Sequence, residues 1–196
     1  MQKIYIFDDV LDSKNCQALV EEFNEFYNPV IYAKTEQTSP YIADGRLNYP
    51  LWGALHKPMA ESKNTALNRA PLGDNLCLIH ISELIKIKAQ KALKKNIKLR
   101  RVNTNVQFYG MESWPHKDGK SNEWTFLIFA NDLWHPTWGG SFVVHREDND
   151  RDYVNVPLMP NRGVLFRADL YHYGTAPSRY CVEPRFSLAA TFTEIT

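Results

Sequence analysis

The chain has 196 residues, 44% of them hydrophobic and 13% aromatic, which suits one domain with a closed core and excludes a disordered chain. Lys and Arg number 23 against 22 Asp and Glu, a formal net charge of +1, so no overall field draws the protein to nucleic acid or to an anionic membrane. The opening MQKIYIFDDV lacks the apolar run of a secretory signal, and no segment approaches the ~18 consecutive apolar residues of a membrane helix, so a cytoplasmic location and no membrane partner are expected.

In chain order, IYIFDDVL (4 to 11) reads as a short strand, with Ile4, Tyr5, Ile6 and Phe7 ahead of an acidic pair. A helix capped by Asp12 or Ser13 should follow, because Leu19, Val20, Phe23 and Phe26/Tyr27 recur at helical spacing until Asn28-Pro29 stops it. Residues 34 to 73 hold Pro40, Pro50, Pro58 and Pro71 among polar residues and are expected to be mostly loop, of a length typical of a substrate lid. From Asp74 to about Asn96, Leu76, Ile79, Leu84, Ile87 and Leu93 stripe one helical side. Lys86, Lys88, Lys91, Lys94 and Lys95 crowd the other, a solvated basic face over a buried stripe. Cys16, Cys77 and Cys181 are far apart, odd in number and without a C-x-x-C pair, so they are expected to be reduced thiols buried by packing.

After residue 100 the texture becomes β. NTNVQFY (103 to 109), EWTFLIFAN (123 to 131), GSFVVHRE (140 to 147), YVNVPL (153 to 158), GVLFRA (163 to 168) and RFSLAATF (185 to 192) are short, β-branched or aromatic, and divided by Gly, Pro, Asn or Asp turns. This pattern predicts a mainly β, α+β chain: a sandwich or barrel over 101–196, with the strand, helices and long loop of 1–100 packed outside it in a single domain.

One constellation carries chemistry. In WPHKDG the two-residue step from His116 to Asp118 puts both side chains on one face of an extended backbone. YHYG, beyond the strand GVLFRA, supplies His172 as a third ligand. Two imidazoles and a carboxylate on one side of an ion leave positions open, as a non-haem Fe(II) oxygenase requires, although zinc accepts the same donors. Arg185 heads the last strand in an apolar setting, where an inward guanidinium is costly without an anion. A ligand carboxylate would supply that anion, held bidentate, with Ser187 on the same face adding a hydroxyl. His56, His80, His135 and His145 lack partner spacing, His135 reads as a loop residue, and Arg162 and Arg167 read as solvated. WGGSF belongs to no phosphate-cradling pattern, and no G-x-S-x-G nucleophile turn occurs.

These residues give the chain its resemblance to 2-oxoglutarate- and Fe(II)-dependent dioxygenases of the prolyl 4-hydroxylase-like subgroup. VQFYGMESWPHKDG resembles the family's tyrosine, glycine-containing loop and H-x-D. WTFLIFAND resembles its T-x-L-x-x-x-L-N strand, WGGSFVV its Gly-Gly turn, and PLMPNRGVLFRADLYHYG its approach to the second histidine, so the likeness spans about residues 102 to 192. The resemblance implies a double-stranded β-helix, the cupin-like jelly-roll. It implies Fe(II) on His116, Asp118 and His172, 2-oxoglutarate and O2 as cosubstrates, ascorbate as a candidate auxiliary, and Arg185 on the distal carboxylate. By the same matching, Tyr109 and Thr125 would hydrogen-bond the cosubstrate, and Trp114 and Phe129 would be wall or core. The implied reaction is oxidative decarboxylation of 2-oxoglutarate to succinate and CO2, coupled to hydroxylation of an unactivated C–H.

A peptidyl proline or other protein side chain is the first substrate expected. A free amino acid or small metabolite is the alternative. Nucleic-acid demethylases are similar in the last strand but place a second arginine where Thr191 stands, which speaks against that branch. A non-catalytic jelly-roll binding module has no need of an internal arginine facing two His and one Asp.

Overall fold

The computed structural model describes residues 3–25, 31–32, 51–56, 75–147 and 151–195. Its strands are β1 (Ile4–Phe7), β2 (Ile31–Tyr32), β3 (Leu51–His56), β4 (Ile97–Gln107), β5 (Glu123–Phe129), β6 (Phe142–His145), β7 (Tyr153–Val156), β8 (Gly163–Arg167), β9 (His172–Gly174) and β10 (Arg185–Glu194). The helices are α1 (Ser13–Glu25) and α2 (Leu76–Leu93). One antiparallel sheet runs β1-β8-β5-β10-β4-β3-β2 and a smaller one β7-β6-β9, giving the two-sheeted jelly-roll expected from the sequence.

Strand β10 lies between β5 and β4, and it is covered on both faces. Side chains alternate along a strand, so its even-numbered residues Phe186, Leu188, Ala190 and Phe192 enter the core under the helices, with Trp124, Phe126 and Ile128 of β5. Its odd-numbered residues Arg185, Ser187 and Ala189 line a cavity on the other face, as do Thr125 and Leu127 of β5. Double coverage makes both strands read as nearly continuous apolar runs, and it hides the few polar positions that matter.

Several boundaries differ from the sequence expectation for identifiable reasons. Strand β1 stops at Phe7 because the chain turns through Asp9 at φ 51°, and Val10 and Leu11 then enter the core by themselves. Residues 51–56, within the stretch expected to be mostly loop with short elements, form one such element, a strand paired with β4, Trp52 opposite Val106; the rest of 34–73 lies outside the described residues. The expected helix end at Phe26/Tyr27 also lies outside them. Strand β4 begins at Ile97, because Ile97–Leu99 pair with the end of β10 beyond an irregularity at Thr191/Phe192.

Helix α2 buries a different stripe from the one expected. Leu78, Ile81, Ser82, Ile85, Ala89 and Leu93 face the sheet, whereas Leu76 and Ile87 are exposed. The buried set keeps the i, i+3, i+4 spacing, and Ala89 and Ser82 permit close approach. The Ser82 hydroxyl is satisfied by donating to Leu78 O at 2.6 Å. Asn75 caps the helix by accepting from Leu78 N, and Lys94 ends it in the left-handed region. The lysine face is partly ion-paired: Lys86 meets Glu83 at 2.9 Å and Lys95 meets Glu194 at 2.7 Å. All three cysteines are free, but only Cys181 is buried; Cys16 and Cys77 are half-buried at the core edge, short of the burial expected. Among the described residues no helix is long and apolar enough to cross a membrane.

Leu188, fully buried between the helices and the sheet, sits on the face of β10 away from the cavity. Leu188→Ala is expected to cost ~2–5 kcal/mol of stability, read as a lower urea midpoint. An unchanged midpoint would contradict the core described.

Candidate active site

The backbone joins the two histidine segments directly. His116 N donates to His172 O and His172 N to His116 O, both at 3.0 Å, while Asp118 N donates to Ala168 O at 2.8 Å. Strand β9, which the sequence did not reveal, pairs Val144 of β6 with His172 and fixes that residue from the other side. The ligand atoms of His116, Asp118 and His172 consequently lie within 4.8 Å of one another, a cluster able to hold a metal ion. His172 Nε2 is 3.4 Å from Asp118 Oδ2, and His116 Nε2 is 3.9 Å from Asp118 Oδ1.

Each imidazole is oriented by a carbonyl. His116 Nδ1 lies 2.8 Å from Trp114 O and His172 Nδ1 lies 3.0 Å from Leu170 O. A carbonyl only accepts, so Nδ1 carries a proton and Nε2 is the nitrogen turned to the cluster: protonated, it faces Asp118 as part of a cation, and deprotonated, it can give its lone pair to a metal ion. Asp118 is buried, which raises its pKa, but His172, Arg101 and His116 outweigh burial and hold its carboxyl well below the usual range. Arg101 Nη2 donates to Asp118 Oδ1 at 2.6 Å and Thr125 Oγ1 to Asp118 Oδ2 at 2.8 Å.

Arg185 is 1% exposed, and the partners around it are neutral. Nε donates to Gly140 O at 2.8 Å, and Nη1 donates to Gln107 Oε1 at 2.6 Å and Ser187 Oγ at 3.2 Å. The Phe129 ring lies 5.1 Å beneath the guanidinium. Among the described residues the buried Nη2 has no partner, and burial pushes the guanidinium down to about 9. Two glycines make this pocket possible. Gly140 holds φ 73°, and a Cβ there would lie 3.3 Å from Arg185 Cδ and 3.0 Å from Trp134; a Cβ at Gly174 would come within 2.8 Å of Gln107 Oε1. The Gly-Gly turn of the sequence is thus part of the arginine's housing.

The triad and Arg185 line one cavity of about 190 Å³, with Leu127, Phe142 and Phe166 as its apolar wall. The inward row of β4, in the same sheet as Leu127 and Phe166, also lines it: Arg101, Asn103, Asn105 and Gln107. Asn103 Oδ1 is also buried without a partner.

The candidates named from the sequence divide accordingly. His116, Asp118, His172, Arg185 and Ser187 converge on the cavity, and so does Thr125, with its hydroxyl committed to Asp118. Tyr109 does not: it is 65% exposed, past the end of β4, where Gly110 turns the chain at φ 78°. Gln107, two residues earlier, lines the cavity and accepts from Arg185. The alternation Asn103-x-Asn105-x-Gln107 was the available signal, once the register sets Gln107 opposite Arg185. Trp114 contributes its carbonyl, and Phe129 is core beneath Arg185. His135 caps a short turn, as a loop residue should. Arg162 and Arg167 are half-buried and paired with Asp8 and Asp169, where solvation had been expected.

No protein-family model and no curated protein matches the sequence. Solved structures do match the fold. The non-haem α-ketoglutarate-dependent epimerase SnoN from nogalamycin biosynthesis is 14% identical at TM-score 0.67, over 99% of this chain and 77% of that one. A prolyl hydroxylase from Trichoplax adhaerens, in complex with a hypoxia inducible factor peptide fragment, is 13% identical at TM-score 0.66, over 98% and 84%. A Pseudomonas putida prolyl-4-hydroxylase is 13% identical at TM-score 0.59, over 100% and 95%. The chain has the jelly-roll fold of the 2-oxoglutarate and Fe(II) oxygenases, and identities this low carry the fold alone.

Burying Arg185 charged costs stability that an anionic ligand would return. Unfolded, the guanidinium keeps its ordinary high pKa, so the cost is fully present below about 9 and lifts as pH rises above it. Arg185→Met is therefore expected to melt no lower than wild type at neutral pH, with its relative standing declining above pH 9, and to lose any stabilisation by 2-oxoglutarate. Melting curves across pH, with and without 2-oxoglutarate and Mn(II), check this.

Proposed function

We propose that the protein is a 2-oxoglutarate- and Fe(II)-dependent dioxygenase that hydroxylates an unactivated C–H, with a peptidyl proline or other protein side chain as its substrate. The observation that carries this reading is the partnerless Nη2 of a buried, counter-ion-free Arg185 facing the same cavity as two histidines and an aspartate. A divalent ion alone would need only the triad. A dicarboxylate explains both ends at once.

In this reading His116, Asp118 and His172 hold Fe(II), a donor set that suits this ion and leaves positions open. The chemistry supplied by Fe(II), 2-oxoglutarate and O2 together is decarboxylation to succinate and CO2 with transfer of one oxygen atom to a C–H bond. The chain's own residues bind and orient. Arg185 pairs with the distal carboxylate through Nη2, with Ser187 beside it and Gln107 holding the guanidinium in place. Thr125 keeps the Asp118 carboxylate turned toward the histidines. Leu127, Phe142 and Phe166 exclude water from the space between the two ends, which strengthens the charge interactions there.

A second reading keeps this chemistry and takes a free amino acid or small metabolite as substrate. It is favoured by the polar row of β4, where Asn103 Oδ1 waits for a donor inside a small cavity.

Incubation with Fe(II), 2-oxoglutarate and ascorbate is expected to yield succinate, and His116→Ala to yield none. Proline-rich peptides are expected to gain the mass of one oxygen atom. Succinate without any modified peptide would favour the small-substrate reading, and no succinate under any condition would contradict the proposal.

A further inference from the structure

The proposed reaction does not account for Arg101. It reaches in from β4, 20% exposed, and donates through Nη2 to Asp118 Oδ1 at 2.6 Å and to Asp118 O at 3.1 Å. Its Nε donates to Thr191 Oγ1 at 3.2 Å, Thr191 Oγ1 lies 3.3 Å from Thr125 Oγ1, and Thr125 Oγ1 donates to Asp118 Oδ2. Arg101, Thr191 and Thr125 thus close a hydrogen-bonded ring with the Asp118 carboxylate. The sheet register builds it, placing Arg101 opposite Thr191 and Thr191 opposite Thr125.

We propose that Arg101 is a positioning residue that offsets the charge of Asp118, weakening the hold of the triad on its divalent ion and strengthening the hold of the loaded site on its dicarboxylate. The inference rests on the function proposed above.

Its basis is the charge inventory of the cavity. Among the described residues, Arg101, Lys117 and Arg185 line it against the one carboxylate of Asp118. When both imidazoles give Nε2 lone pairs to an ion, the one negative charge of the triad is that of Asp118, already paired to a guanidinium, so an arriving cation meets almost no net negative charge. The ion therefore keeps nearly all of its charge once bound, and an incoming dianion meets that charge undiminished. A cation at hydrogen-bond distance from a ligating carboxylate would be counterproductive if metal affinity were all that mattered. Thr125 alone could have oriented Asp118 through Oδ2.

The two effects have opposite signs, which a merely structural role cannot imitate. Calorimetric titration with Mn(II), followed by titration of the Mn(II)-loaded protein with 2-oxoglutarate, reads both affinities without turnover. Arg101→Gln, which removes the charge, is expected to bind Mn(II) on the order of tenfold more tightly and 2-oxoglutarate on the order of tenfold more weakly. Arg101→Lys, which keeps the charge, should rescue both toward wild type, with circular dichroism confirming the fold of each variant. If wild type binds both ligands and the two constants of Arg101→Gln move in the same direction, or neither moves, the inference is overturned and the function stands. If wild type binds neither, both are overturned together.

Discussion

A guanidinium buried among neutral partners is the constraint around which this structure is arranged. Among the described residues Arg185 has a backbone carbonyl, an amide oxygen, a hydroxyl and an aromatic face for company, and no carboxylate. Such an arrangement costs stability in the ligand-free protein, and a chain carries it at the head of its most central strand when the missing anion arrives from outside. The triad faces the same cavity, so an anion with two functional ends satisfies both. The likeness to 2-oxoglutarate-dependent enzymes of the same fold agrees with this physical reading without being needed for it.

The fold serves the site through one device, the two-faced central strand. Strands β10 and β5 anchor the helical core with one set of side chains and supply the cavity with the other, so stability and chemistry share the same backbone. The cavity floor inherits the rigidity of a sheet buried on both sides. Where the chain must bend close, at Gly140 and Gly174, glycine leaves the room that the Arg185 and Gln107 side chains occupy.

Much of this was legible in the sequence, and the failures have physical causes. The H-x-D step, the distant histidine and the arginine at the start of the last strand are short-range patterns with strong chemical meaning, and they met in space as expected. Tyr109 lies outside the cavity because β4 ends before it, which sequence likeness across a turn does not show, whereas strand alternation turns Gln107 inward. The helical stripe was misread because α2 is apolar on more than one side, and only packing decides between Leu76-Ile87 and Leu78-Ile85. Strands β3 and β9 are short or proline-flanked, so their pairing is set by partners far away in the chain. The ring at Asp118 joins three residues set by strand register to a fourth held by its backbone bond to Ala168, which no local pattern records.

The central claim is that one cavity binds a divalent ion at one end and a carboxylate at the other. A crystal of the protein grown with Mn(II) and 2-oxoglutarate, measured at the manganese absorption edge, tests it most directly. An anomalous peak is expected among His116 Nε2, His172 Nε2 and the Asp118 carboxylate, with the far carboxylate of the ligand on Arg185 Nη2. A peak elsewhere, or a ligand that leaves Arg185 Nη2 without a partner, would contradict it.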